Sequence, residues 1–552
     1  MGMNTDLPRR RLLLGTGMAG LGLAAAPLLA GCGPERTPGG RSSGNGSTDS
    51  GAVRLPTYVP YTGVTPDAPA TDTGASPYFA KFPAQPASVA TDKPLAGGTV
   101  DVLTIMNSTP IEMTKNPWWQ ALNTALGGTI TLGGAPIGDY VQKFQALVAG
   151  NDLPDVAAIL PGSIPQLGGL LKAKFADLSP YLSGDAAKDY PALANIPSVA
   201  WRGCVYNGAI QTVPIQRLSL YRCYLTRTDL AEKAGVDPQP KNGEELMAML
   251  TALADPAEKR FATASIWGLL DLFLEMHGAP NGWSVKDGTF TKDYESEAFT
   301  AALESAQKAW KAGIIHPNAF DSNISLQIQE MYNNGTIAFF PTPATFVSNA
   351  AGPLATDPKA TSVALQVNAW DGNGPAGRWL NNGAPYQAAV AQADPDRIKE
   401  VLRVINFLAS PFGTKEYLLV QNGIEGTDYT VDAKGGFTQT DQGKANKPGG
   451  LAYAGAPAIV HFAAAYPDIA KAQYDAEVLA MKTAVPIPTV GLESKTDESK
   501  GAALTREMKD LQSDIIQGRK DLSAWAEGVK SWQSKGGDTI RGEYEEALAA
   551  QG

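Results

Sequence analysis

Residues 98–105, Gly98-Thr99-Val100-Asp101-Val102-Leu103-Thr104-Ile105, alternate apolar and polar as a half-buried strand does, and helix-period segments follow. A helix is expected over 118–126, a strand near Ile130, a helix over 140–149 and a buried strand over 155–160, after the turn Asn151-Asp152-Leu153-Pro154. Strands that alternate with helices must cross over to pair, so this order implies parallel βαβ units and an α/β fold.

A second region starts at Val213-Pro214-Ile215, with a strand over 218–226 and helices over 229–234, 242–254, 265–277 and 296–312. Further helical patterns cover 396–408 and 414–421. Near the end, Leu522, Trp525, Val529 and Trp532 recur as the apolar stripe of a packed helix. Gly536-Gly537 stops that helix and Asp538 caps a final one carrying Ile540, Tyr544 and Leu548.

Upstream of the first strand the composition changes. Residues 33–95 hold ten prolines amid Gly, Ser and Thr and show no periodicity, which predicts a disordered tether. Tyr58, Tyr61, Tyr78 and Phe79 are the residues within it able to dock on a folded body.

The N-terminus has the form of an export signal. Arg9-Arg10-Arg11 precedes an apolar run over 12–29, and Leu29-Ala30-Gly31-Cys32 closes it. The segment resembles a lipoprotein signal peptide, which makes Cys32 the lipidated first residue of the mature chain. Arg9-Arg10-Arg11-Leu12-Leu13 also resembles the twin-arginine export pattern. Gly15-Thr16-Gly17-Met18-Ala19-Gly20 matches a dinucleotide fingerprint, yet no strand precedes it, so it is no nucleotide site.

The formal charge of −10 becomes −12 once residues 1–31 are removed, and no basic stripe marks a nucleic-acid surface. After lipidation only Cys204 and Cys223 remain as thiols. An oxidising exterior permits them to form a disulfide, and two separate buried thiols are the alternative; the sequence leaves both open.

The three histidines, His277, His316 and His461, are isolated, and no zinc-protease, nucleophile-elbow, P-loop or EF-hand motif occurs. Neither a metal nor a cofactor is indicated. Aromatic and amide residues instead gather near predicted strand ends: Trp118 and Trp119, Trp267 and Trp283, and later Trp370, Trp379, Asn381 and Asn382. Such side chains suit sugars, whose C–H faces lie on aromatic rings while amides satisfy their hydroxyls. Of the pair Trp118-Trp119, one ring is expected inward and one toward solvent or ligand.

Several segments carry a family likeness. Leu153-Pro154-Asp155-Val156 opens a strand, and Val213-Pro214-Ile215-Gln216-Arg217 leads into Leu220-Tyr221-Arg222-Cys223-Tyr224-Leu225. Arg227-Thr228-Asp229-Leu230-Ala231-Glu232-Lys233-Ala234-Gly235-Val236-Asp237 then runs on to Pro240-Lys241-Asn242-Gly243-Glu244-Glu245-Leu246. Together with Tyr332-Asn333-Asn334-Gly335-Thr336-Ile337-Ala338-Phe339 and Gln421-Asn422-Gly423-Ile424, these resemble the extracellular solute-binding proteins of ABC importers, the sugar and oligosaccharide-binding lipoproteins.

The resemblance implies a two-lobe periplasmic-binding-protein-like α/β fold with a hinged interlobe cleft. Its expected boundaries are a signal peptide over 1–31, the tether over 32–96 and lobe 1 over 97–217. Lobe 2 follows over 218–365, lobe 1 returns over 366–412, and lobe 2 resumes with C-terminal helices over 413–552. By motif position the ligand is met by Asn107 and Ser108 after the first strand, Ser163 after the third, and Gln216 with Arg217 as polar anchors at the first crossing. Lobe 2 supplies Trp267 as the stacking platform, Trp283, Phe340, Thr342 and Trp370. Asp155 orders its turn rather than binding sugar.

The implied function is a monomeric, non-enzymatic receptor on the extracytoplasmic face of the cell membrane. It captures a sugar or oligosaccharide and delivers it to ABC permease subunits, with the lipid at Cys32 as its anchor. The alternative is a surface-anchored glycan-active enzyme, a glycosidase or lyase, whose paired carboxylates leave little local trace.

Overall fold

The computed structural model describes residues 53–71, 74–106, 111–321, 323–343, 346–432 and 436–550. The first lobe is laid down by β1 (Thr99–Ile105), α1 (Pro117–Leu126), β2 (Thr129–Ala135), α2 (Ile137–Gly150), β3 (Val156–Ile159) and β4 (Val213–Ile215). The chain crosses to a second lobe carrying β5 (Arg222–Arg227), α3 (Thr228–Ala234), α4 (Gly243–Leu253), α5 (Ile266–His277), α6 (Glu297–Lys311), β6 (Phe339–Pro343) and β7 (Ser362–Ala364). It returns with β8 (Tyr386–Val390), α7 (Pro395–Leu408) and α8 (Lys415–Asn422), then crosses again to α9 (Pro467–Met481), α10 (Ala502–Ile516), α11 (Ala524–Trp532) and α12 (Asp538–Ala549).

Lobe 1 is a five-stranded sheet in the order β2-β1-β3-β8-β4. β1 pairs in parallel with β2 and β3, and β8 runs antiparallel between β3 and β4. Val102, Leu103 and Ile105 are all buried, as expected when helices cover both sheet faces. Asp155 acts below the sheet: its carboxylate accepts from the Asp101 amide (2.9 Å) and pairs with Arg397 (2.7 Å). Trp118 and Trp119 do not divide between core and surface. Both are buried, their indole N–H groups donating to Leu419 O (2.7 Å) and Ile130 O (2.8 Å).

Lobe 2 centres on the antiparallel sheet β6-β5-β7, with α5 laid against β6. The approach is close enough that a Cβ on Gly268 would fall 2.5 Å from Pro341 Cβ, so only glycine fits there. α11 and α12 pack Trp525, Trp532 and Tyr544 into the same core, with the chain kinked at Gly536.

Three segments join the lobes. Leu220 bridges Leu380, the Tyr221 amide donates to Trp379 O (2.9 Å) and the Asn381 amide to Ser219 O (2.9 Å), while the Ile459 amide donates to Gln216 Oε1 (3.1 Å). Val367, Ala376 and Trp379 belong to the lobe 2 core, whereas Val420, Leu451 and Ala456 belong to lobe 1. The second crossing therefore lies near residue 381 rather than 366, and the third near 457 rather than 413.

The tether expectation also needs correction from residue 53 onward. The Thr57 and Val59 amides donate to Gly184 O (2.9 Å) and Ala194 O (2.8 Å) of lobe 1. The Ser76 amide reaches Glu477 Oε2 (3.1 Å) on α9 of lobe 2, and the Lys415 amide on lobe 1 donates back to Ala87 O (2.9 Å). This segment is a strap that visits both lobes. Proline-rich composition conceals it because its burial rests on a few aromatics, Tyr78, Phe79 and Phe82, held with almost no regular secondary structure.

Candidate functional site

In an open α/β sheet the carboxyl ends of parallel strands face the binding crevice. In lobe 1 those ends, with the start of β8, bring three half-buried side chains together. Arg217, just past β4, places its guanidinium 5.3 Å from the Tyr386 ring centroid and 5.9 Å from that of Tyr453; the rings are 5.0 Å apart at 74°. Tyr386 is set by its register opposite Ile215. Tyr453 is set by Gly450, which passes over the end of β1 with φ +88° and accepts from Thr104 Oγ1 (2.6 Å). Burial raises the pKa of the Tyr453 hydroxyl, the neighbouring Tyr386 adds to this, and Arg217 opposes it. The cluster offers guanidinium donors, two phenol hydroxyls and aromatic faces within one patch.

In lobe 2, Trp267 occupies the first turn of α5, half-buried against the lobe 2 core, with its edge to Phe320 (5.9 Å) and Lys509 Nζ 4.5 Å from its ring. Beside it, Arg222 pairs with Asp271 at 2.5 Å and lies 4.9 Å from the ring of Tyr221, which is 39% exposed. The lobes touch where the Asn207 amide donates to Glu493 Oε1 (3.1 Å).

Ser163 is exposed in the turn after β3, its amide bonded to Leu160 O (3.1 Å). Asn107 and Ser108 lie outside the described residues, as does Cys32. Other expected ligand contacts are committed elsewhere. Gln216 is 4% exposed and clamps the third crossing, because neighbours on an extended segment point to opposite sides and Arg217 takes the other one. Trp283 is buried among Phe290, Trp532 and Tyr544. Phe340 packs in the lobe 2 core beside Tyr332, and buried Thr342 accepts from Asn349 Nδ2. Trp370 stacks on His277 at 4.3 Å. His277 is ten residues, about 15 Å of helix, from Trp267.

Cys204 and Cys223 are free thiols in different cores, and burial pushes both up to about 12, so no disulfide links them. Sequence reasoning missed Tyr386 and Tyr453. Tyr386 had a usable signal, an aromatic opening the apolar strand Tyr386-Gln387-Ala388-Ala389-Val390 after Gly383-Ala384-Pro385. Tyr453 had none, since only the path of the chain over β1 brings it there.

No helix among the described residues is long and apolar enough to cross a membrane. The chain is 22% identical over 479 residues to lipoprotein LipO of Bacillus subtilis, covering 81% of this chain and 92% of that protein. It is 21% identical over 423 residues to the polygalacturonan/rhamnogalacturonan-binding protein YtcQ of the same organism, covering 71% and 82%. The N-glycan transport solute-binding protein of Streptococcus pneumoniae superposes with a TM-score of 0.61 at 16% identity, covering 82% of this chain and all of the other, so the two share the two-lobe fold. The family model described as bacterial extracellular solute-binding protein matches residues 118–439, and the chain belongs to that family.

Proposed function

We propose that the protein is the lipid-anchored receptor of an ABC importer and captures an oligosaccharide between its lobes for delivery to a membrane permease. The carrying observation is the Arg217-Tyr386-Tyr453 cluster on the cleft side of the hinge, where hydrogen-bond donors and aromatic faces converge on one patch. Family membership supports solute binding, and the name of the polygalacturonan/rhamnogalacturonan-binding relative supports a saccharide ligand. Ser163 and Trp267 are proposed as further contacts from the two cleft walls. A sugar stacking on Trp267 would compete with Lys509 for the ring. The basic, apolar and Leu29-Ala30-Gly31-Cys32 order of the N-terminus supports the anchor at Cys32.

Binding follows from differential contact: a ligand touching both walls favours the closed arrangement by its extra affinity for that state. The test is calorimetry with oligogalacturonides, rhamnogalacturonan fragments and neutral oligosaccharides, with product analysis of each mixture. Saturable binding without turnover, weakened at least tenfold by Arg217→Ala, is expected. Turnover, or unchanged affinity in Arg217→Ala for a ligand that binds, would contradict the reading.

A further inference from the structure

The strap and hinge enclose a second cavity that the cleft does not use. It has a volume of about 410 Å³, within the range of small-molecule sites. Its walls include Tyr61 and Phe79 of the strap, Gln216 and Ser219 of the first crossing, Phe412 beyond α7, and Ile459 of the third crossing. Among the described residues that line it none is Asp, Glu, Lys, Arg or His, and most are apolar.

Four lining polar residues are each at least nine-tenths buried, Ser76, Asn195, Gln216 and Ser219, and the last three stand on the lobe 1 and first-crossing side. Asn195 Oδ1 accepts from the Tyr61 amide (2.7 Å) and Gln216 Oε1 from the Ile459 amide (3.1 Å). The other ends of these amides, Asn195 Nδ2 and Gln216 Nε2, and the Ser219 hydroxyl make no hydrogen bond among the described residues and are not sealed from solvent, so they can donate to an acceptor entering the cavity in place of water. A charged ligand would meet no counter-charge among the described lining residues and would lose its hydration.

We infer that this cavity is a second binding site, behind the hinge, for a neutral and largely apolar small molecule bearing a hydrogen-bond acceptor such as a ketone, ester or amide carbonyl. Its apolar body fills the space between the strap and Phe412. Its carbonyl accepts from the Gln216, Asn195 and Ser219 group. Since the cavity is walled by the first and third crossings together with the strap, occupancy joins the segments that move when the lobes close.

The probe is prodan, a neutral naphthyl ketone whose emission shifts to the blue in apolar surroundings. Titrated into the full chain it is expected to bind saturably at one site. Ser219→Ala, which keeps the backbone bond to Asn381, should weaken binding about threefold to tenfold. Ala458→Phe, which fills the cavity, should abolish binding while its thermal unfolding remains cooperative, and Arg217→Ala in the cleft should leave it unchanged. Non-saturating fluorescence, undiminished binding in a folded Ala458→Phe, unchanged affinity in Ser219→Ala, or loss in Arg217→Ala would each overturn the assignment. Should Ala458→Phe not fold, Val199→Trp at the 39% exposed wall of the same cavity replaces it.

Discussion

Residues that carry the strongest sequence likeness prove to be structural. Arg227 makes a two-pronged pair with Asp229 (2.8 and 2.7 Å) and donates to Tyr332 O (3.0 Å), which ties the end of β5 to the start of α3. Asn242 caps α4 by accepting from the Glu245 amide (2.8 Å), while Glu245 reaches back to the Lys241 amide (2.9 Å). A family signature of this kind identifies the fold and says little about the ligand. His277 gives a testable consequence at the same scale. Burial beneath Trp370 lowers its pKa to about 4, against roughly 6.5 in an unfolded chain. Between those values the unfolded state takes up a proton that the folded state refuses, so stability falls as pH drops from about 6.5 to about 4. In His277→Asn, chemical denaturation across this window should show a shallower decline than in the parent. Equal slopes would mean that His277 is charged in the folded protein.

Elements were legible wherever one local rule decided them. β1, α1, α2, α5 and α6 begin and end within about three residues of the expected limits, because their periodicity and caps agree with their tertiary surroundings. The strand expected over 218–226 starts only at Arg222, since 218–221 form a hinge crossing whose bonds go to 379–381. The strap was legible only in docking aromatics such as Tyr78 and Phe79, and not in its path. It has no period, and its contacts reach partners hundreds of residues away, such as Glu477 and Glu416. The site divided in the same way: Arg217 follows from its place after β4, while Tyr453 depends on a distant loop, and the tryptophans expected to meet ligand include two, Trp283 and Trp370, that pack with the lobe 2 core. Hydrogen exchange separates a strap from a tether. The amides of Val59, Ser76 and Tyr78, each bonded in the structure, should exchange far more slowly than an unfolded chain. Exchange at random-coil rates over 53–96 would contradict the strap.

At the scale of the whole molecule, two lobes share three crossings and one strap, so closure is a movement of packed bodies about short segments. The strap holds both lobes, through Thr57, Val59 and Ala87 on lobe 1 and Ser76 on lobe 2, so a shift between them must also be absorbed within the strap. The folded body thus takes in residues from 53 onward that composition alone assigned to a tether. Cys32→Ala expressed in a bacterial host should move the protein from the membrane fraction to the medium or periplasm. Retention in the membrane would contradict anchoring through that thiol.

Small-angle X-ray scattering with and without a saturating oligosaccharide reads closure of the cleft around a saccharide directly. A smaller radius of gyration is expected in the bound state, with the ligand recovered intact. An unchanged radius at saturation, or a ligand recovered as cleavage products, would contradict it.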